Sequence, residues 1–297
     1  MNLNLRKWGT LIILSVIWGS SYILIKKGLT GLTPVQLGSL RVIVTTILIA
    51  PIGFNKIKYI PKHKMKWVAL SAFVGSFSPA FLFAFAETEI SSSITAVMVS
   101  LTPLFTLLIS VIIFGEELLK KQVIGVIIGF TGIIVLINHE LLSSSFSIIY
   151  VMFIVLAAFC YAVNANLLKY KLPNISALGI VFMSFLFMFI PAFIILLFSD
   201  FPFSDFTSNS LILESIFYIV ILAFFGTAVA KVLYIKLLAI STPVFSVSTT
   251  YLMPIVAIFW GLLDGEDFKL TQFIGTSIIL IGVYLVTKKK APPISES

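Results

Sequence analysis

The chain has 297 residues, 59% of them apolar and only 11% charged, with a mean hydropathy of +1.13. Soluble domains run near 45–50% apolar and about 25% charged, so a soluble enzyme of this size is excluded and a polytopic membrane protein remains. The formal net charge of +8 needs no nucleic acid: basic residues facing anionic lipid gain about 1 kcal/mol each near the surface.

Apolar runs of roughly 20 residues cross a hydrocarbon core about 30 Å thick. Ten are predicted, at 8–25, 35–53, 67–86, 92–114, 122–138, 148–168, 176–198, 215–236, 242–263 and 271–287. They are continuously apolar and therefore helices, since barrel strands alternate over about ten residues. The first run follows Arg6 and Lys7 as a signal peptide would, but Trp18 to Tyr22 supply no small-x-small cleavage site, so it reads as a retained span.

In the third span stands Pro79, in the fourth Pro103 and in the ninth Pro254. Each removes a helical hydrogen bond and is a hinge or a static kink. Thr95, Thr102, Thr106 and Ser110 form a stripe on the fourth span, as do Ser246, Thr249 and Met253 on the ninth; such stripes suit helix packing and a wet pathway alike. Gly125 and Gly129 on the fifth span permit close helix approach, to a neighbour in the chain or in a second subunit. The lone Cys160 excludes an intrachain disulfide and a cysteine metal site. Tyr161 and Asn164 lie one turn apart on the sixth span and share a face, with Asn166 off it; an asparagine there is interhelical glue or a ligand group. Lys231 on the eighth span is five residues from Lys236, roughly 7.5 Å along the axis. It either snorkels to the interface or faces a cavity and binds a carboxylate or phosphate. Glu87, at the end of the third span, is a solvated acid beside Glu89, a partner for Arg41 in the second span, or a proton carrier.

With the N-terminus cytoplasmic, fifteen of the twenty Lys and Arg fall on the inner side, only Lys26, Lys27 and Lys269 fall outside, and Arg41 and Lys231 lie within spans. That asymmetry predicts ten spans with both termini inside. A repeat runs through the chain. Gly115-Glu116 and Gly265-Glu266 are 150 residues apart, as are Gly125 and Gly275, and Gly132 and Gly282, while Pro103 and Pro254 miss that register by one. Each unit holds five spans, an odd number, so the second copy is predicted upside down relative to the first. Inverted repeats of this kind mark secondary transporters, which bind substrate near the midplane between the halves. The units predicted are 1–140 and 148–297, joined by a polar seam at 141–147.

Trp18-Gly-Ser-Ser-Tyr22, Arg41, Ser91-Ser-Ser93, Pro103, Gly115-Glu116, Gly226-Thr227-Ala228, Pro254, Gly265-Glu266, Gly275 and Gly282 resemble the EamA family of the drug/metabolite transporter superfamily. The resemblance spans nearly the whole chain. It implies an all-α integral membrane protein of the cell membrane with ten helices as two inverted five-helix repeats. Spans 1, 3, 4, 6, 8 and 9 would line a central cavity and spans 5 and 10 would lie outside it. On those lining spans the cavity candidates are Trp18, Phe81, Phe85, Thr102, Tyr161, Asn164, Lys231, Tyr234, Thr249 and Tyr251. Arg41, which the family also carries in a non-lining span, is expected to pair structurally, with Glu87 as its candidate partner. Lys231 departs from the family pattern, which has an apolar or aromatic residue there.

The expected function is a permease, an exporter of small metabolites such as amino acids, working by alternating access and driven by proton exchange or a substrate gradient. Its partners are a small-molecule substrate and lipid, as monomer or homodimer. No metal, no cofactor, no nucleic acid and no enzymatic chemistry are expected: there is no HExxH and no phosphate-binding glycine loop, and His63 and His139 fall in loops. A facilitative pore and a non-transporting scaffold are the alternatives.

Overall fold

The computed structural model describes residues 3–117, 119–143, 148–203, 208–267 and 269–287. These form ten helical rods and no strand: α1 (Leu3–Gly28), α2 (Pro34–Tyr59, ending in a 3-10 turn), α3 (Lys62–Ala86), α4 (Ser92–Phe114), α5 (Lys120–Ser143), α6 (Ile148–Lys171), α7 (Ala177–Leu197), α8 (Ser210–Ala239), α9 (Pro243–Leu263) and α10 (Leu270–Thr287). Eight of them, α1 to α4 and α6 to α9, are long and apolar enough to cross a membrane, and α10 contributes a shorter apolar stretch, Leu270–Leu285. The ten-span prediction is matched in helices, while α5 and α10 stand outside the eight. The helix α5 runs on to Ser143, so residues 141–143 of the predicted seam are helical; residues 144–147 lie outside the described residues.

Local sequence sets the ends. Thr33 caps α2 by accepting from the Gln36 amide, and the Gln36 side chain accepts from the Thr33 amide in return, with Pro34 in the first turn. Ser91 accepts from the Ile94 amide to start α4, and Thr242 accepts from the Phe245 amide to start α9. Both α4 and α9 stop at a left-handed glycine, Gly115 (φ 69°) and Gly265 (φ 82°), a conformation glycine adopts without steric penalty. The Gly-Glu pairs of the repeat thus both follow a helix end with a left-handed glycine, though Glu116 N donates six residues back, to Ser110 O, and Glu266 N five back, to Gly261 O.

Four rods are broken inside. A π-helical segment, Phe73–Phe77, interrupts α3 just before Pro79, and another, Leu222–Val229, interrupts α8. In α4 the break falls at Ser100-Leu101 before Pro103, and in α9 a 3-10 turn, Ser248–Tyr251, precedes Pro254. Each half thus carries one π segment and one helix parted ahead of a proline.

Packing shows the same duplication. The neighbouring pairs are α2 with α7, α4 with α9, α5 with α10, α1 with α9 and α8, α6 with α4 and α3, α2 with α8, and α3 with α7. Replacing each helix by the one five places along maps each of these pairs onto another of them; α2 with α3 likewise has a counterpart in α7 with α8, whereas α4 with α10 has none of comparable extent. The pair α5 and α10 interlocks on its glycines. A Cβ at Gly132 would lie 2.7 Å from the Ile279 amide nitrogen, and one at Gly282 would meet the backbone of Gly129 and Gly125. The close-approach face of α5 is thus used within the chain. The main buried core joins residues of both halves, among them Leu37, Phe83, Leu104, Ile154, Phe185 and Leu222. Apolar side chains such as Ile112, Phe198, Phe217 and Leu270 cover the outside, as lipid requires.

Candidate functional site

A cavity of about 660 Å³, counting the space at its mouth, sits between the halves. Seven helices line it: α1 with Trp18, Ser21, Tyr22 and Ile25, α2 with Arg41, α3 with Phe83, α4 with Val99 and Thr102, α6 with Tyr161 and Asn164, α8 with Lys231 and Tyr234, and α9 with Thr249, Thr250 and Met253 among others. A smaller space shares Asn164, Lys231 and Tyr234 with it and continues past Ser71, Leu168 and Ile235. That direction leads to the helix ends bearing Lys66, Lys169 and Lys236.

The proline breaks build the floor of this site. A proline has no N–H, so the carbonyl four residues earlier loses its helical donor and, in a membrane, must find another. For Pro79 that carbonyl is Gly75, and the Lys231 ammonium of α8 donates to it. For Pro254 it is Thr250, which accepts from Ser100 Oγ of α4 at 2.8 Å. For Pro103 it is Val99, which accepts from Thr102 Oγ1 at 2.7 Å. Ser15 Oγ of α1 completes the α9 break by donating to Thr249 O at 2.9 Å. A Cβ at Gly75 would sit 2.5 Å from the Asn164 side chain, so only glycine leaves room for α6 and Lys231 to meet α3 there. Ser71 Oγ donates to Asn164 Oδ1 at 2.6 Å, fixing that side chain.

Seven predicted cavity residues are brought together: Trp18, Thr102, Tyr161, Asn164, Lys231, Tyr234 and Thr249. Lys231 does not snorkel to the interface. Phe81, Phe85 and Tyr251 lie elsewhere. Phe81 packs on Gly38 and the Phe77 ring, Phe85 against Phe153, and Tyr251 donates its hydroxyl to Val283 O at 2.9 Å. On α3 the row Gly75, Pro79, Phe83, Glu87 turns inward, and positions 81 and 85 point away from it. Asn166 is interhelical glue: it accepts from Ser110 Oγ at 2.7 Å and donates to Thr106 O at 3.1 Å, tying α6 to α4.

Arg41 differs most from expectation. No carboxylate lies within 4 Å of it among the described residues, so it forms no ion pair with Glu87. The reason is where α2 packs: it lies on the π segment of α8, whose Thr227 Oγ1 accepts from Arg41 Nε at 3.0 Å while itself donating to Leu222 O at 3.1 Å. The guanidinium then reaches the cavity. Sequence reasoning also missed Ser21, Tyr22 and Ile25. Their signal was present, for they stand at i+3, i+4 and i+7 from Trp18, one helical face.

Glu87 is 8% exposed, and both its carboxylate oxygens lack a hydrogen-bond partner. Burial holds its carboxyl well above the ordinary carboxylate range, and the charge of Glu266 adds to this, while Arg41 and Lys26 oppose it.

Above the cavity, one end of the bundle is tied shut. The Glu266 carboxylate, from the α9–α10 turn, sits on the N-terminus of α4. It accepts from Ser92 Oγ (2.8 Å), Ser93 Oγ (2.6 Å), and the amides of Ser92 and Ser93 (3.2 Å each), and from Lys26 Nζ of α1 at 2.9 Å. Asp264 pairs with Lys26 at 2.8 Å and Lys27 at 2.5 Å. Burial raises the Glu266 carboxyl, but the bonds from Ser93, Lys26 and Ser92 outweigh it and hold the group below its ordinary value. Its repeat counterpart, Glu116, is exposed and accepts from Tyr170 Oη instead. At that end Lys169 Nζ donates to Leu238 O in the last turn of α8 at 3.1 Å and to Ser241 O in the α8–α9 connection at 2.6 Å.

This helix set with paired Gly-Glu turns has relatives. The model of the EamA-like transporter family matches twice, over residues 7–138 and 148–288. The chain belongs to the EamA-like transporter family. Among its relatives is an uncharacterized transporter of Archaeoglobus fulgidus, 29% identical over 96% of this chain and 100% of that one. A probable amino-acid metabolite efflux pump of Escherichia coli strain K12 is 27% identical, covering 94% of each chain. An uncharacterized inner membrane transporter of the same strain, YedA, is 26% identical over 95% of this chain and 91% of its own. A protein of known crystal structure superimposes with a TM-score of 0.65 over 96% of each chain at 16% identity, a likeness of fold. Like other EamA-like proteins the chain is an integral membrane transporter, and the two family matches meet at the α5–α6 connection.

Proposed function

We propose that this EamA-like protein is a secondary transporter that exports small metabolites across the cell membrane by alternating access, with both termini cytoplasmic and the two five-helix halves inverted. The observation that carries the reading is the pairing of a central cavity with an asymmetric closure. Glu266 ties α1, α4 and the α9–α10 turn together at one end, while Glu116, at the equivalent turn, caps no helix. In an inverted pair of halves, exchanging the two arrangements would close the opposite end. The Glu266 end carries few basic residues and faces outward in this reading. The matching of most helix pairs under a five-place shift and the doubled family match support the inversion, since five helices per unit reverse the second copy. The name of the E. coli efflux pump supports amino-acid-related cargo and outward transport. Glu87, buried without a partner near Arg41, is the candidate for proton coupling.

Flux in proteoliposomes tests this, with a panel of amino acids, N-acylated amino acids, nucleosides and cationic drugs, with and without a pH gradient. Saturable flux of at least one class, faster with the gradient, is expected. No flux of any class under either condition overturns the proposal, and flux that never saturates favours a pore.

A further inference from the structure

The cavity holds two cations and, among the described residues, no acid on its lining. Arg41 Nε is fixed on Thr227, and Thr227 and Lys231 stand at i and i+4 of α8, one turn apart on one face. Both side chains open onto the same space. Neither has a carboxylate within 4 Å among the described residues. Lys231 has the Gly75 carbonyl as a neutral acceptor, and the terminal nitrogens of Arg41 meet no acceptor among the described residues. Glu87, near Arg41 but off the lining, makes no ion pair with it; buried like charges without a paired counter-ion are costly in a medium of low dielectric, and an anion between them lowers that cost.

The rest of the lining decides what carries the anion. The hydroxyls of Tyr22, Tyr161 and Tyr234 point to no hydrogen-bond partner among the described residues, and Ile25, Phe83, Val99, Val247 and Met253 make the remaining wall largely apolar. The Trp18 indole N–H is already bound to Gly226 O at 2.9 Å. Phosphates are held by many backbone N–H groups, commonly at a helix N-terminus. The N-terminus of α4 is filled by Glu266, and the second halves of α4 and α9, which start on the lining at Thr102 and Met253, each spend the next position on a proline that has no N–H to give. One bidentate guanidinium with one ammonium suits a carboxylate. An ammonium on the ligand finds no acid on this lining.

We propose that the cavity takes organic monocarboxylates with an apolar body and no free amine, the carboxylate seated between Arg41 and Lys231 and the body against the aromatic wall. The proposal rests on the transporter reading and narrows its cargo from amino acids at large to acids such as N-acylated amino acids.

The test is binding to the purified full chain, monitored by thermal stabilisation, with three matched probes: N-acetyl-leucine, its amide, and leucine. Methyl phosphate forms a fourth arm. The acid is expected to bind at least tenfold tighter than the amide and than leucine. In Lys231→Met that preference should fall about tenfold with amide binding unchanged, and Lys231→Arg should restore it. Equal affinity of acid and amide, a preference for leucine or methyl phosphate, or a preference untouched in Lys231→Met overturns the proposal. The same probes assayed for flux separate the two levels. Flux of leucine or the amide without acid preference sinks the carboxylate site and leaves the transporter; acid binding without flux of any probe leaves the site and sinks the transporter. Should Lys231→Met fail to fold, the comparison of Lys231→Arg with native protein and the four-probe ranking in native protein still decide the matter.

Discussion

Replacing Glu266 by Gln removes one charge and one acceptor oxygen at the closed end while preserving shape. The native carboxylate accepts five hydrogen bonds, and its side chain is 8% exposed. In the variant, either the Ser93 or the Ser92 amide faces an NH2 group; the serine hydroxyls can turn and accept, but the amide cannot. Losing a charged acceptor at a buried amide costs about 1.5–3 kcal/mol, and losing the anion at the helix N-terminus adds about 0.3–1 kcal/mol. Lys26 is 35% exposed and keeps Asp264, so its share is below about 1 kcal/mol. A net loss of about 2–3 kcal/mol falls on the closed arrangement alone, because opening this end parts Glu266 from α4 in either protein. The open population should then rise roughly 30- to 150-fold. To read it, Cys160 is replaced by Ala, Ile25 on the cavity wall becomes the sole cysteine, and a membrane-impermeant maleimide is applied from the Glu266 side. Labelling in Glu266→Gln should be at least tenfold faster. An unchanged labelling rate in a protein that still elutes as a folded species would refute the latch.

Glu87 gives a pH dependence of known sign. Its folded carboxyl titrates above the unfolded one, so the folded state binds more protons; stability is full below the unfolded pKa of about 4.3 and falls as pH rises towards the folded value, by up to about 1.4 kcal/mol per pH unit. Melting temperatures from pH 5 upward should fall less steeply in Glu87→Gln, and parallel profiles would remove Glu87 from the account. Gly75→Ala puts a methyl 2.5 Å from Asn164 and should destabilise by about 1–3 kcal/mol, lowering the melting temperature and weakening acid binding through a displaced Lys231. An unaltered melting temperature would show that α3 and α6 part without cost.

Much of the fold was legible because lipid permits few backbone solutions. Continuous apolar runs placed the helices, and α4, α7, α9 and α10 match within one residue at each end, while α1, α2, α3, α5 and α8 run five or six residues further at one end. The glycine-glutamate spacing anticipated a repeated turn, and the structure puts a glycine of positive φ in both, Gly115 and Gly265. Tyr161 with Asn164 was readable as one face because a helix fixes which residues share a side. Phe81 and Phe85 were placed on the cavity by their span alone; they stand two positions either side of Phe83, which is the α3 residue on the lining, and membership of a span does not say which face turns inward. Prolines announced where α3, α4 and α9 would lose a donor. Which side chain came to the freed carbonyl was not announced.

What the sequence determined alone is what depends on composition and local geometry: a membrane protein of ten helices, its caps and turns, its doubled pattern, and the two basic residues within apolar runs. The tertiary structure decided the use of those residues. Arg41 meets Thr227, 186 positions away, and Lys231 meets Gly75, 156 away. Such partners are set by how α2, α3 and α8 cross, which no local period records. Because both charges line the cavity with no acid on that lining, two residues that composition left over become the strongest electrostatic feature of the site.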